Sequence, residues 1–205
     1  MFIIDFETTG HAFSFYSFPC EVGIIKIENN KIIDYYSSLI KPPEFYKNTY
    51  IDGLRKAFSI HQISYEEILK EGKDIKEVAG EVKEFILKYN SKLKNSIYAW
   101  NYKFDKTFLI KLFVFAEEKE TFSFVESLDW KEISPAKFKG TPKGLSSYVN
   151  KELYNLIHNE ILPQNEEVRK IFLNSHRHRA LYDTILEFAV YLKNQHLYSS
   201  TQKLF

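Results

Sequence analysis

Asp5 and Glu7 stand two residues apart in Phe2-Ile3-Ile4-Asp5-Phe6-Glu7, a run that is otherwise apolar. On a strand, alternation puts both carboxylates on one face and Ile4 and Phe6 on the other. Two like charges side by side on a core strand are costly unless a cation neutralises them. Oxygen-only ligands suit Mg²⁺ or Mn²⁺. The spacing leaves a second reading open, a polar strand end capped by Thr8, Thr9 and Gly10. Asp105 closes the string Trp100-Asn101-Tyr102-Lys103-Phe104-Asp105. It is either a ligand or an acid favoured by the dipole at a helix N-terminus. Asp183 sits among Ala180, Leu181, Ile185 and Leu186, which makes it an exposed first-turn acid or a ligand facing inward. His178 precedes it by five residues, about 140° around a helix. The two cannot share a helical face, so His178 is expected on the loop just before, where it can move. Its plainer reading is one surface histidine in the basic run His176-Arg177-His178-Arg179. Glu187, one turn beyond Asp183, reads as helix surface.

These residues need elements to hold them. Phe2 to Phe6 reads as a buried strand, and Glu21 to Ile27 as a second, rich in β-branched residues. Asn29-Asn30 is a hairpin signal, and Lys31 to Ile40 a third strand ending before Pro42-Pro43. The chain therefore opens with an antiparallel three-stranded meander. From residue 60 the period changes. Ile68, Ile75, Val78, Val82, Phe85 and Ile86 recur at steps that argue helix. Ile97 to Trp100 reads as a short strand, Asp105 to Phe115 as a helix, and Phe122 to Leu128 as a strand. Pro142 to Leu153 reads as opening a helix, and Ala180 to Leu192 as an amphipathic one. Asp129 reads as a structural strand end. Strands followed by alternating helices and strands imply an α/β domain with a mixed sheet covered by helices.

The chain has 205 residues with a net charge of +1 and 44% apolar residues. That length fits one domain, able to bury roughly 70% of its unfolded surface, and the composition excludes disorder as the main state. One cysteine, Cys20, excludes a disulfide framework and a multi-cysteine zinc site, fits a reducing compartment, and reads as a small buried residue. No apolar run approaches a membrane span and no signal peptide is evident, so a cytoplasmic location is expected. The near-neutral balance offers no global argument for a nucleic-acid partner. Local basic residues do: Lys103, Lys106 and Lys111 flank Asp105, Arg177 and Arg179 flank His178, and Lys131, Lys137, Lys139 and Lys143 form a stretch between them. That stretch also reads as a solvated loop. Phe13, Phe15, Tyr16 and Phe18 place four aromatics in six residues. They either stack on a nucleobase or pack a loop on the sheet.

Taken together, three strings carry a resemblance. Asp5-Phe6-Glu7-Thr8-Thr9-Gly10, Asn101-Tyr102-Lys103-Phe104-Asp105, and His178 with Asp183 resemble, in order and spacing, the three motifs of the DEDDh (DnaQ-like) 3′–5′ exonucleases. That family includes the epsilon proofreading subunits of bacterial DNA polymerase III and RNase T. The resemblance covers residues 1 to about 193, leaving 194–205 as a short tail. Glu21-Val22-Gly23 matches the second-strand pattern, and Ile60-His61-Gln62-Ile63 resembles a His-Gly-Ile segment with Gln62 at the glycine. Trp100 stands at a common histidine and His11 at a common leucine. The resemblance implies an RNase H-like fold with a mixed five-stranded sheet. It implies two divalent metal ions, Mg²⁺ or Mn²⁺, with Asp5 shared between them, Glu7 and Asp183 completing one shell, and Asp105 holding the second. It makes His178 the general base. Thr8, Thr9, Gly10, His11, Phe13, His61, Asn101 and Phe104 become candidates for substrate contact. The expected substrate is the 3′ end of single-stranded DNA, in proofreading or repair, with RNA 3′-end trimming as the alternative. A non-catalytic nucleic-acid or replisome-binding module is the alternative of a different class. A monomer or a homodimer is compatible. The terminal Gln202-Lys203-Leu204-Phe205 faintly resembles a sliding-clamp-binding peptide, and a polymerase partner would fit the same role.

Overall fold

Strand β1, Phe2–Thr8, is an inner strand of a mixed sheet, and its alternation explains the layers. Phe2, Ile4 and Phe6 join one core, while Ile3 joins the core on the opposite side. Asp5 and Glu7 therefore share the face of Ile3. The computed structural model describes residues 1–90, 95–118, 121–134 and 144–201, without the side chains of residues 90, 121 and 196–201. β2, Pro19–Glu28, runs antiparallel to β1 with Asp5 opposite Gly23 and Glu7 opposite Glu21. β3, Lys31–Lys41, pairs antiparallel with β2 across the Asn29-Asn30 turn. Both asparagines have positive φ, 49° and 59°, as a two-residue hairpin of matching twist requires.

Helices α1, Lys47–His61, α2, Tyr65–Glu71, and α3, Ile75–Asn90, follow, with a two-residue strand β4, Lys73–Asp74, ahead of α3. Then come β5, Ile97–Ala99, α4, Tyr102–Phe115, α5, Thr121–Ser127, and β6, Trp130–Glu132. The last stretch holds α6, Lys151–Leu156, α7, Glu166–Asn174, and α8, Ala180–Thr201. The sheet order is β4-β3-β2-β1-β5-β6, with β5 parallel to β1 and β6 parallel to β5. Val78, Val82, Phe108, Leu112 and Val125 from α3, α4 and α5 cover one face. α8 covers the other with Leu181, Ile185, Leu186 and Phe188. The α/β, RNase H-like reading thus holds, and its opening meander with it.

Four details depart from the sequence reading. The sheet has six strands, not five, because the short β4 and β6 extend its edges. Phe122 to Leu128 is not a strand: the buried residues there are Val125 and Leu128, three apart, while Phe122 is exposed. α5 packs on α4, with the rings of Phe113 and Phe124 5.8 Å apart. α8 is not amphipathic over its first half. Residues 180–190 are buried on every side, because α6, α7 and the segment Ile157–Ile161 pack on the flank away from the sheet. Its backbone continues past Asn194 to Thr201. The region read as a helix from Pro142 begins its α-helix at Lys151, where Asn150 Oδ1 caps the Leu153 N–H at 2.9 Å. Residues 135–143, and with them Lys137, Lys139 and Lys143, lie outside the described residues, as does the terminal tetrapeptide. Cys20 is buried, as read. Asp129 directly precedes β6 and accepts the Ser96 hydroxyl at 2.6 Å. Among the described residues no helix is long and apolar enough to cross a membrane.

The N-terminus of α8 is fixed to the sheet at one place. A Cβ on Gly23 would lie 2.4 Å from the Leu181 nitrogen and 2.5 Å from the Ala180 carbonyl carbon. Both are backbone atoms and cannot swing aside. Beside it, the Ala180 N–H donates to Glu21 Oε2 at 2.8 Å, and Arg179 clasps both Glu21 oxygens while reaching Glu67 at 2.9 Å. The bare Gly23 backbone and the Glu21 carboxylate thus set where Asp183, one turn on, projects. Gly23→Ala should cost about 1–3 kcal/mol by overpacking and lower the urea midpoint accordingly. An unchanged midpoint would show that α8 does not rest on Gly23 this closely.

Candidate active site

Four elements meet at one cavity of about 550 Å³. β1 brings Asp5 and Glu7 to it. α8 brings Asp183, and the loop before α8 brings His178. Asp105 sits in the first turn of α4, 2% exposed and behind the cavity wall. His178 lies on the loop, as the helical angle requires, with a positive φ of 62°. That reversal folds its backbone N–H onto Asp183 Oδ2 at 3.2 Å, while its imidazole Nδ1 stays 3.9 Å from the same oxygen. One ligand atom each from Glu7, His178 and Asp183 can be chosen within 4.8 Å of one another.

Burial of these acids is the dominant electrostatic fact. Desolvation raises Asp5 well above the usual carboxylate range, with Glu187, Asp105, Glu7 and Asp183 adding repulsion. Glu7 is pushed up to about 9, first by burial and then by Asp183 and Glu21. Asp105 is pushed up to about 8 by burial, against backbone hydrogen bonds that lower it. Asp183 is pushed up to about 7 by burial, against the His178 N–H and Arg177. Asp5 Oδ2, Asp105 Oδ1 and Asp183 Oδ1 are buried and find no hydrogen-bond partner among the described residues. Buried acceptors are rarely left orphaned. Orphaned oxygens on clustered acids fit hard divalent cations such as Mg²⁺ or Mn²⁺. Asp5, Glu7, Asp105 and Asp183 are the residues that would hold them.

The substrate-contact candidates divide. Thr8, Thr9, Gly10, His11, His61 and Phe104 line the cavity with Trp100. His61 is 1% exposed, and its Nδ1 accepts the Ile63 N–H at 2.9 Å. Burial, then Arg179 and His178, push it down to about 4, so the ring is neutral and Nε2 carries its proton. Nε2 finds no partner among the described residues and is available as a donor. Asn101 is instead the residue before α4, with its carbonyl accepting the Phe104 N–H at 2.8 Å. It does not line the cavity, and neither does Phe13.

The aromatic segment is split between its two readings. Phe18 is buried against Phe115 with centroids 4.7 Å apart. Phe13, Phe15 and Tyr16 are exposed, Phe13 completely. Thr9 pins the base of this loop through Phe18, and Lys111 Nζ donates to the Ser14 and Ser17 carbonyls. Lys111, Lys106, which pairs with Glu126 at 2.8 Å, and Arg179 are thus engaged within the protein. Arg177 and Lys56 are the cavity's cationic lining.

Glu187 departs from the sequence reading. Glu187 is not on the surface: it is 1% exposed and lines the cavity. The signal was present. Asp183 and Glu187 are four apart and share a helical face. From Ala180 to Leu192 the only other hydrophilic side chains are Thr184 and the hydroxyls of Tyr182 and Tyr191. A helix apolar all round has no solvent face, so its acids must point inward.

A family model described as exonuclease, of the RNase T type, matches residues 2–191. No curated protein matches significantly. Solved structures do. E. coli Exonuclease I in complex with a dA16 oligonucleotide superposes with a TM-score of 0.55 at 15% identity, over 92% of this chain and 39% of that one. A complex of the same enzyme with a 5cy-dA13 oligonucleotide gives 0.56 at 15%, over 94% and 40%. Its zinc-bound form with single-stranded DNA gives 0.54 at 16%, over 92% and 38%. The chain therefore spans about two fifths of the length of these structures, and the likeness is one of fold. With the family model covering nearly its whole length, the chain belongs to the RNase T-type exonuclease family.

Proposed function

We propose that this chain is a metal-dependent 3′–5′ exonuclease of the DEDDh type, releasing 5′-mononucleotides from the 3′ ends of single-stranded DNA in proofreading or repair. The observation that carries this reading is the buried, unpartnered oxygens of Asp5 and Asp183 at one cavity, with that of Asp105 behind its wall and a histidine at its rim. Asp5, Glu7, Asp105 and Asp183 would hold two divalent cations, Mg²⁺ or Mn²⁺. Such ions supply charge stabilisation to both oxygens of an in-line phosphoryl displacement. The remaining work belongs to the protein. His178, neutral because burial and then Arg177 and His176 lower its affinity for a proton, accepts a proton from the attacking water. His61 Nε2–H and Arg177 offer donors to the terminal nucleotide. The cavity is of a size that suits a small ligand. Phe13, Phe15 and Tyr16 stand exposed on the loop after β1, suited to stacking on bases further along a strand. The solved structures of similar fold hold single-stranded DNA, which favours DNA over RNA.

The test uses matched, 5′-labelled single-stranded DNA and RNA oligonucleotides with Mg²⁺, Mn²⁺ or EDTA. The expected result is a ladder shortening from the 3′ end, faster on DNA and absent in EDTA. A faster RNA ladder would move the function to RNA trimming. Binding without any ladder would leave a nucleic-acid-binding module.

A further inference from the structure

Glu187 has no part in the four-carboxylate set, yet it is the acid whose placement is hardest to explain otherwise. Its neighbours on α8, Ile185, Leu186, Phe188, Ala189 and Val190, are all buried and apolar. An apolar residue at position 187 would pack there without desolvating a charge. The glutamate instead sends its carboxylate into the cavity that Asp5, Glu7 and Asp183 line. Oε2 is buried and finds no hydrogen-bond partner among the described residues, and the same holds for Asp5 Oδ2 and Asp105 Oδ1. Among its charged neighbours Glu187 acts on Asp5 most strongly, and Asp105 acts most strongly on Glu187. Glu187 thus acts with Asp5 and Asp105, while one ligand atom each from Glu7, His178 and Asp183 can be chosen within 4.8 Å of one another.

We propose that Glu187 is a fifth acidic residue of the metal centre, acting with Asp5 and Asp105 on one of its two cations. This rests on the metal-dependent reading above. Affinity at oxygen-only sites rises with the number of charged ligands. An added carboxylate therefore makes the site it serves the tighter one, and more selective for hard cations. Glu187 is a positioning residue for that ion and is not assigned contact with substrate.

The experiment is Mn²⁺ titration of the full chain by calorimetry, wild type against Glu187→Gln, with thermal unfolding in EDTA and in Mn²⁺. The expected result is that one of two Mn²⁺ sites weakens roughly tenfold or more while the other stays within about twofold. In EDTA the variant melts at the same temperature as wild type or higher, because a buried repulsive charge is gone, and Mn²⁺ raises its midpoint less. Glu187→Met, similar in length and apolar, should show the same loss of Mn²⁺ affinity and guards against a folding defect of the glutamine. Superimposable Mn²⁺ isotherms for wild type and variants overturn this role for Glu187 alone. A midpoint lowered equally with and without Mn²⁺ also overturns it, since that marks a purely structural residue. No Mn²⁺ uptake by wild type overturns the metal reading itself.

Discussion

Asp5→Asn should abolish metal-dependent hydrolysis while leaving the fold intact and, in EDTA, more stable than wild type. Asp5 sits on an inner strand, opposite Gly23 of β2, with acids from β1, α4 and α8 around it. Metal ions supply several kcal/mol of charge stabilisation to such a displacement. At about 1.4 kcal/mol per tenfold, losing one ligand of such ions would mean a drop on the order of 10³-fold or more. The stability half of the prediction comes from the raised carboxyls. A carboxyl whose folded pKa exceeds its unfolded value, about 4, stabilises the fold when protonated. That contribution is full below about pH 4 and is lost as pH rises through the folded values. Here the loss extends through about 7 for Asp183, about 8 for Asp105 and about 9 for Glu7. Wild type in EDTA should therefore melt at progressively lower temperature from pH 5 to pH 9. Asp5→Asn should give a flatter curve lying above it at pH 8. Mg²⁺ or Mn²⁺ should flatten the wild-type slope, because cations bind the ionised carboxylates. Undiminished hydrolysis in the variant would remove Asp5 from the metal centre, and a wild-type midpoint independent of pH would refute the buried-charge account.

What was legible in the sequence was local. Two carboxylates at a period of two, in a run with Phe2, Ile4 and Phe6, require a strand and a shared face, and β1 has both. The 140° argument that removed His178 from the helix holds, with the loop reversal at φ 62° as its structural form. What was not legible depended on contacts between distant segments. Phe122 to Leu128 carries aromatic and β-branched residues that suit a strand, but α4 offers a surface that takes Val125 and Leu128 three apart, and the helix wins. Glu187 and Arg179 were misjudged for related reasons. A charge near a motif reads as solvated or as meeting phosphate until its partners are known. For Arg179 those partners are Glu21, far away in sequence on β2, and Glu67 of α2. Asn101 shows the converse: it stands in a motif, yet serves as the turn into α4.

His178→Ala should lower turnover by about 10²–10⁴ with Mn²⁺ affinity little changed, and this pairing of outcomes separates two roles that the geometry alone does not. One ligand atom each from Glu7, His178 and Asp183 can meet within 4.8 Å, which would suit a ligand trio. Three features favour the base. The His178 backbone is anchored by its N–H on Asp183 Oδ2, whatever its side chain does. Its imidazole is 43% exposed and 3.9 Å from that oxygen, beyond a hydrogen bond and free to turn toward substrate. Burial and the cationic neighbours Arg177 and His176 lower its pKa, keeping it in the proton-accepting form at neutral pH. A histidine ligand would also change the metal that the site prefers, since imidazole suits Zn²⁺ whereas Mg²⁺ and Mn²⁺ take oxygens. The measurement is kcat in Mg²⁺ beside calorimetric Mn²⁺ and Zn²⁺ affinities for wild type and variant. A fall in turnover with both affinities intact assigns His178 to proton transfer. A fall in Zn²⁺ and Mn²⁺ affinity that tracks the loss of turnover would make it a ligand, and the proton would then need another acceptor in the cavity.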